Sequence, residues 1–265
     1  MKLILANDKM KASILKFIYK EPLFNLFLIG DIETYGLNTD FMSTYVNEGD
    51  EIKVVVLKYN TTLLFYDPNE LITEADLREI IKLHKIKNIH ISEINFLRFK
   101  VIFDEDKKKY SIHEQFISKL DKKYDGDISL VSKSTISDCE AIVKSRLLID
   151  EFEGFRGSYK DELASYKRQL QNPNLVSFIV KKDELVVAHS AISITTNEAA
   201  MIGGVFTLNE YRKNGYATQT TAALANWILD KNLMPILFFH NQKAGSIYHK
   251  IGFKDFGKVY TIVVN

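Results

Sequence analysis

The 265-residue chain holds one cysteine and four prolines, and nowhere does it approach the ~18 apolar residues in a row that a membrane-spanning helix needs. The lone thiol, Cys139, excludes a disulfide framework and a thiolate zinc cluster, and is expected to be a small core residue. No metal site is predicted. An excess of one charge is also missing: 35 cations nearly cancel 34 anions, so the net +1 sets up no global field for nucleic acid or an anionic membrane. The opening MKLILANDKMKA has an apolar run too short for a secretory signal. These absences predict a cytoplasmic protein, monomer or homodimer, with neither a nucleic-acid nor a membrane partner. The 46% hydrophobic content supplies ample core.

Apolar spacing predicts helices over 8–19, 22–35, 74–84 and 94–101, and strands over 41–47, 52–59, 62–66, 88–91 and 110–117. The polar KLDKKYDGD then reads as a linker, separating domains at 1–120 and 128–265. Beyond it the pattern predicts a strand over 128–132 and a helix over 138–149 opened by a Ser137/Glu140 capping box. A helix over 159–170 follows, ended by Asn172 and Pro173. Strands over 176–181, 184–194 and 199–207, a helix over 215–230, a strand over 236–239, a helix over 241–251 and terminal strands complete the half. The two halves share nearly one element order, which points to a structural repeat of α/β (α+β layered) class, a mixed sheet flanked by helices in each.

The segment YRKNGYATQTTAALANWILD places Arg212, Lys213 and Gly215 just before a helix. Unpaired N–H groups and the helix dipole make such a start an anion site, and a phosphate is the natural occupant. A Walker loop is excluded because Tyr216 and Ala217 follow the glycine in place of Lys and Ser or Thr. A dinucleotide fingerprint is excluded because only Gly215 is available in the turn.

The stretch GGVFTLNEYRKNGYATQ resembles the GNAT family of N-acetyltransferases, whose signature is Gln or Arg, two residues, Gly, one residue, then Gly or Ala. Arg212, Gly215 and Ala217 fill those positions. Later, FFHNQKAGSIYHKIGF matches the family's second motif with Asn241 after a strand and Tyr248 before Gly252 and Phe253. The resemblance spans about 128–265 and implies the GNAT acyltransferase fold there, with a degenerate GNAT-like lobe in the first half.

It also implies acetyl-CoA as co-substrate. N–H groups of Lys213, Asn214, Gly215, Tyr216, Ala217 and Thr218 would face its pyrophosphate, with charge from Arg212 and Lys213. Val205, Phe206 and Thr207 would end the strand beside the pantetheine arm, and Gly203 and Gly204 would admit the thioester. Tyr248 matches the general acid that protonates the departing thiolate. Asn241 is either a helix cap or a CoA contact, or both. Among Glu198, His189 and His240 no base is assigned. A single cysteine favours direct transfer in a ternary complex to a small-molecule or peptide amine. The acidic loop LIDEFEGFRGS, with Asp150, Glu151, Phe152, Glu153 and Phe155, would border the acceptor.

In the first half the matching junction reads LLFYDPNELITEADLREI. It has no glycine, and Asp67, Glu70, Glu74 and Asp76 would repel a phosphate, so no CoA site is expected there. Two other readings of the chain are an acyl-CoA sensor without turnover and an aminoacyl-tRNA-dependent transferase; the near-zero net charge disfavours the latter.

Overall fold

In the computed structural model the chain begins β1 (Leu3–Leu5), α1 (Lys11–Ile18), α2 (Leu26–Tyr35), β2 (Met42–Asn47), β3 (Val55–Tyr59), β4 (Thr62–Tyr66), α3 (Glu74–Leu83), β5 (Asn88–Ser92), α4 (Glu93–Glu105) and β6 (Tyr110–Lys119). It continues β7 (Ser132–Lys133), α5 (Cys139–Arg146), α6 (Tyr159–Gln171), β8 (Ser177–Lys182), β9 (Leu185–Thr195), β10 (Ala199–Thr207), α7 (Tyr216–Asp230), β11 (Met234–Phe239), α8 (Gln242–Ile251) and β12 (Lys254–Val264). The structure describes every residue except Met1, Arg156 and Pro173, and the side chains of residues 153–155 also lie outside the description. Among the described residues no helix is long and apolar enough to cross a membrane.

Two units form, residues 1–117 with 256–265 and residues 118–255. In the first, strands lie in the order β1-β2-β3-β4-β5-β12, antiparallel except for the parallel β4–β5 pair. In the second the order is β7-β8-β9-β10-β11, antiparallel except for the parallel β10–β11 pair. Each parallel pair needs a crossover, which α3 supplies in one unit and α7 in the other. The repeat expected from element order is therefore present as strand topology.

Strand alternation builds the core of the first unit on both sheet faces. Val56, Leu63 and Phe65 bury with α3 and α4 residues, whereas Val55, Leu57 and Leu64 bury with those of α1 and α2. The last ten residues belong to this unit although sequence order assigned them to the second half. Tyr260 stacks on Phe96 at 3.8 Å between ring centroids, and Ile262 is fully buried in the same cluster. Apolar area on β12 thus fills a core that the first 117 residues leave incomplete.

Several local expectations need correction. The capping box ahead of α5 is Thr135 with Asp138, not Ser137 with Glu140: Thr135 donates its N–H to Asp138 at 2.7 Å and its hydroxyl at 2.9 Å. The strand expected over 128–132 shrinks to Ser132–Lys133, and β1 was not expected. The helix expected over 94–101 runs from Glu93 to Glu105, because Phe99, Ile102 and Phe103 continue its buried stripe. Pro173, expected to end a helix, lies outside the described residues.

Candidate active site

In the second unit the β10–β11 ladder closes at Ile202↔Leu237, yet β10 runs on to Thr207 and β11 to Phe239. Past that pair the strands part, leaving a wedge whose backbone groups on the β11-facing edge have no sheet partner. On its other edge β10 stays paired with β9 but carries a bulge between Gly203↔Ala191 and Phe206↔His189. Gly204 sits in the bulge at φ +58°, and a Cβ on Gly203 would meet Ser193 Oγ at 2.1 Å, so both glycines answer to the strand itself.

A buried polar chain holds the bulge. His189 Nδ1 donates to the Gly204 carbonyl at 2.7 Å, and its Nε2 accepts from the Tyr166 hydroxyl at 2.7 Å. Tyr166 also meets Ser177 Oγ at 2.7 Å, and Ser177 meets Ser134. Burial pushes the imidazole down to about 4, so His189 stays neutral, and at 2% exposure it is a strut and not a base. Because the folded value lies below the ordinary 6.5, the unfolded chain takes up the proton first as pH falls. Stability present above pH 6.5 is therefore lost toward pH 4, by about 2 kcal/mol between pH 7 and 5. Urea unfolding at the two pH values should show a smaller loss in His189→Gln than in the parent; an equal loss would refute this linkage.

Phe206 is 4% exposed and stacks on His189, so only its backbone can face the wedge, while Val205 and Thr207 are half-buried. The turn after β10 delivers the predicted loop. Lys213 and Gly215 take φ of +68° and +78°, and Asn214 Nδ2 ties the turn together by donating to the Tyr211 carbonyl at 3.1 Å. Gly215 is the N-cap of α7 and supplies no side-chain cap. The first bond into the helix runs from Gln219 N–H to the Gly215 carbonyl, 3.0 Å, which leaves the N–H groups of Tyr216, Ala217 and Thr218 without an intrahelical partner. An added Cβ on Gly215 would meet nothing within 4 Å, so the space before the helix is open and backbone angle alone calls for glycine there. Thr207 Oγ1 and Gln219 Oε1 are buried without hydrogen-bond partners among the described residues at this end of the unit.

Arg212 does not stand free. Its Nε donates to the Thr207 carbonyl at 3.1 Å and its Nη2 to both carboxylate oxygens of Glu151 at 3.0 and 3.1 Å. Glu151 is held below the usual carboxylate range by its own backbone N–H first; burial opposes this, and Arg212 adds to the lowering. Arg212 therefore clamps the turn, and Glu151 of the acidic loop is committed to it and not to an acceptor. Phe152 of that loop packs on Phe206, and Asp150 is exposed. Glu153 and Phe155 fall outside the described side chains. Lys182, which sequence reasoning missed, lies over the ring of Tyr216, the first residue of α7, at 5.6 Å and brings a cation to the helix start.

Asn241 is the N-cap of α8, accepting from Lys243 N–H at 2.8 Å, so its capping reading has a bond behind it. One face of α8 then lies against Phe239 at the end of β11, where a Cβ on Gly245 would collide with that ring at 2.4 Å. The same face carries Tyr248, 7% exposed between Phe239 and Phe253, with burial pushing its hydroxyl up to about 12. Of the other candidates, Glu198 precedes β10 at the end opposite the wedge, roughly 25 Å away at about 3.3 Å per residue, and His240 is exposed at the end of β11. Cys139 is fully buried and its thiol is pushed up by burial.

The corresponding corner of the first unit is closed by its own side chain. Asp67 accepts from the N–H groups of Leu71 at 2.9 Å and Ile72 at 2.8 Å, and from Arg98 Nη2 at 2.7 Å. Thr73 and Asp76 then form a capping box on α3. A carboxylate thus occupies the anion position that the turn before α7 leaves open. Asp67→Ala should cost about 3 kcal/mol by leaving Arg98 half of a largely buried pair, measured as lost denaturation stability of the first unit. A cost below about 1 kcal/mol would show that the pair carries little.

Residues 145–253, all within the second unit, match the Acetyltransferase (GNAT) family. Solved structures share the fold along the whole chain. A GNAT-family acetyltransferase from Colwellia psychrerythraea superposes with TM-score 0.66 at 12% identity, covering 100% of both chains. A GCN5-related N-acetyltransferase from Sphaerobacter thermophilus gives 0.67 at 10% identity, covering 98% of this chain and 94% of that one. A tandem GNAT protein from the clavulanic acid biosynthesis pathway gives 0.60 at 11% identity, covering 99% and 98%. No curated protein matches the sequence. The second unit thus carries the match to the GNAT family, and the chain as a whole shares the fold of these solved structures, one of them a tandem GNAT protein.

Proposed function

We propose that the second unit binds acetyl-CoA and transfers its acetyl group directly to an amine of a small molecule or peptide. The observation that carries this reading is the junction of an open β10–β11 wedge with an uncapped, glycine-led helix. The N–H groups of Tyr216, Ala217 and Thr218 would hold the pyrophosphate, with Lys213 and Lys182 as counter-charge. The backbone groups of β10 past Ile202, apart from the Gly204 and Thr207 carbonyls held by His189 and Arg212, would take the amides of the pantetheine arm, and the Thr207 and Gln219 side-chain oxygens, unpaired among the described residues, fit a polar ligand there.

An amine with a pKa near 10.4 is neutral in roughly one molecule per few thousand at pH 7, and only that form attacks. The new C–N bond forms as the C–S bond breaks, the amine gives up one proton to solvent, and Tyr248 donates one to the departing sulfur and regains it from solvent. The deeply buried Cys139 disfavours an acyl-enzyme route. Calorimetric titration with acetyl-CoA, followed by thiol release across a panel of amines, tests the reading. Micromolar binding with turnover supports it, binding without turnover on any amine would indicate a sensor, and absence of binding would refute it.

A further inference from the structure

We propose that the first unit carries a separate binding site for a small organic ammonium compound, in the wedge between β4 and β5. The β4–β5 ladder closes at Leu64↔His90, although β4 continues to Tyr66 and β5 to Ser92. A cavity of about 190 Å³ lies at this opening. At about 30 Å³ per water-sized group it has room for roughly six non-hydrogen atoms.

The walls define the ligand. Glu21 and Glu70 bring two carboxylates, Phe24 and Tyr66 bring rings, and among the described residues no Lys or Arg lines the cavity. Asp67 also lines it, but its charge is met by Arg98. Asn95, 6% exposed, lines the same space, and its carboxamide has no hydrogen-bond partner among the described residues, with Oδ1 fully buried. Native interiors rarely leave such a group unpaired, so a polar ligand is implied. An anion would face two carboxylates, and the turn's own anion position is already filled by Asp67. An uncharged apolar molecule would leave Asn95 unpaired and strip water from Glu21 and Glu70 without return. An ammonium group beside carboxylates and aromatic faces meets all of these constraints. Glu70 holds a left-handed φ of +54°, a strained setting that fixes where its side chain starts.

This site does not depend on the acetyl-transfer reading of the second unit. The test is calorimetry on the full chain with butylammonium, using 1-butanol and butyrate as uncharged and anionic counterparts of similar size. Saturable binding of butylammonium, at least about tenfold tighter than butanol and with no butyrate binding, is expected. The double variant Glu21→Gln/Glu70→Gln, changed only at exposed positions, should weaken it about tenfold, as should Asn95→Leu in a still-folded protein. Ala217→Glu, which disables the proposed site of the second unit, should leave it intact. Equal binding of butanol, preference for butyrate, no binding, or binding indifferent to the Glu21, Glu70 and Asn95 variants would each overturn the proposal.

Discussion

Ala217→Glu is expected to weaken acetyl-CoA about a thousandfold while leaving the fold as stable as before or slightly more so. Residue 217 is in the first turn of α7, which carries no acidic residue and no side-chain cap. A glutamate there complements the helix dipole, worth about 0.3–1 kcal/mol of stability. The same carboxylate would stand against the pyrophosphate, where one pair of like charges about 4 Å apart costs roughly 4 kcal/mol near a surface, or about three decades in Kd. Opposite signs on stability and binding separate a lost site from a lost fold. Ala217→Gln, similar in size and uncharged, should lose far less, and raising the salt should recover part of the loss in the glutamate variant. Gly215 is a poorer probe, since its φ of +78° strains any side chain. Calorimetry and a thermal melt decide the matter; parent-like affinity in Ala217→Glu would remove the helix start from the site.

Tyr248→Phe is expected to lower kcat by about 10² to 10⁴ with little change in acetyl-CoA affinity, the range typical of a positioned acid. Its ring packs between Phe239 and Phe253, contacts that phenylalanine keeps, and its hydroxyl has no hydrogen-bond partner among the described residues. Stability should therefore barely move. The raised pKa of about 12 sets a second signature. A tyrosine held neutral to that point keeps its proton throughout the working range, so the parent's rate should climb with pH as the amine deprotonates, with no fall assignable to Tyr248 below about pH 11. A parent-like kcat in the variant would return Tyr248 to the core residues.

Legibility in the sequence followed the range of the interactions. The bounds of Thr62–Tyr66 and Ala199–Thr207, and of the helix ending at Asp230, agree with periodicity because alternation and the 3.6-residue repeat are properties of neighbouring residues. Gly215 and Asn241 were readable for the same reason, as a left-handed turn and a cap each act within a few residues. The capping box was missed by two residues because Thr135-x-x-Asp138 and Ser137-x-x-Glu140 overlap, and only packing of α5 chooses between them.

What the sequence by itself determined is the order of elements after β1, the repeat, and a cationic glycine turn leading into a helix, followed by an Asn and Tyr pair at the next helix. Tertiary structure alone decided how those parts are used. Arg212 bonds Glu151 across 61 residues, Asp67 takes Arg98 across 31, and His189 holds the Gly204 carbonyl across 15. It also placed β12 in the core of the first unit and left Asn95 at a cavity with no partner among the described residues. Such pairings carry no local pattern, because a charge or an amide is satisfied by whatever the fold brings within about 3 Å, and that is set only when the chain has closed on itself.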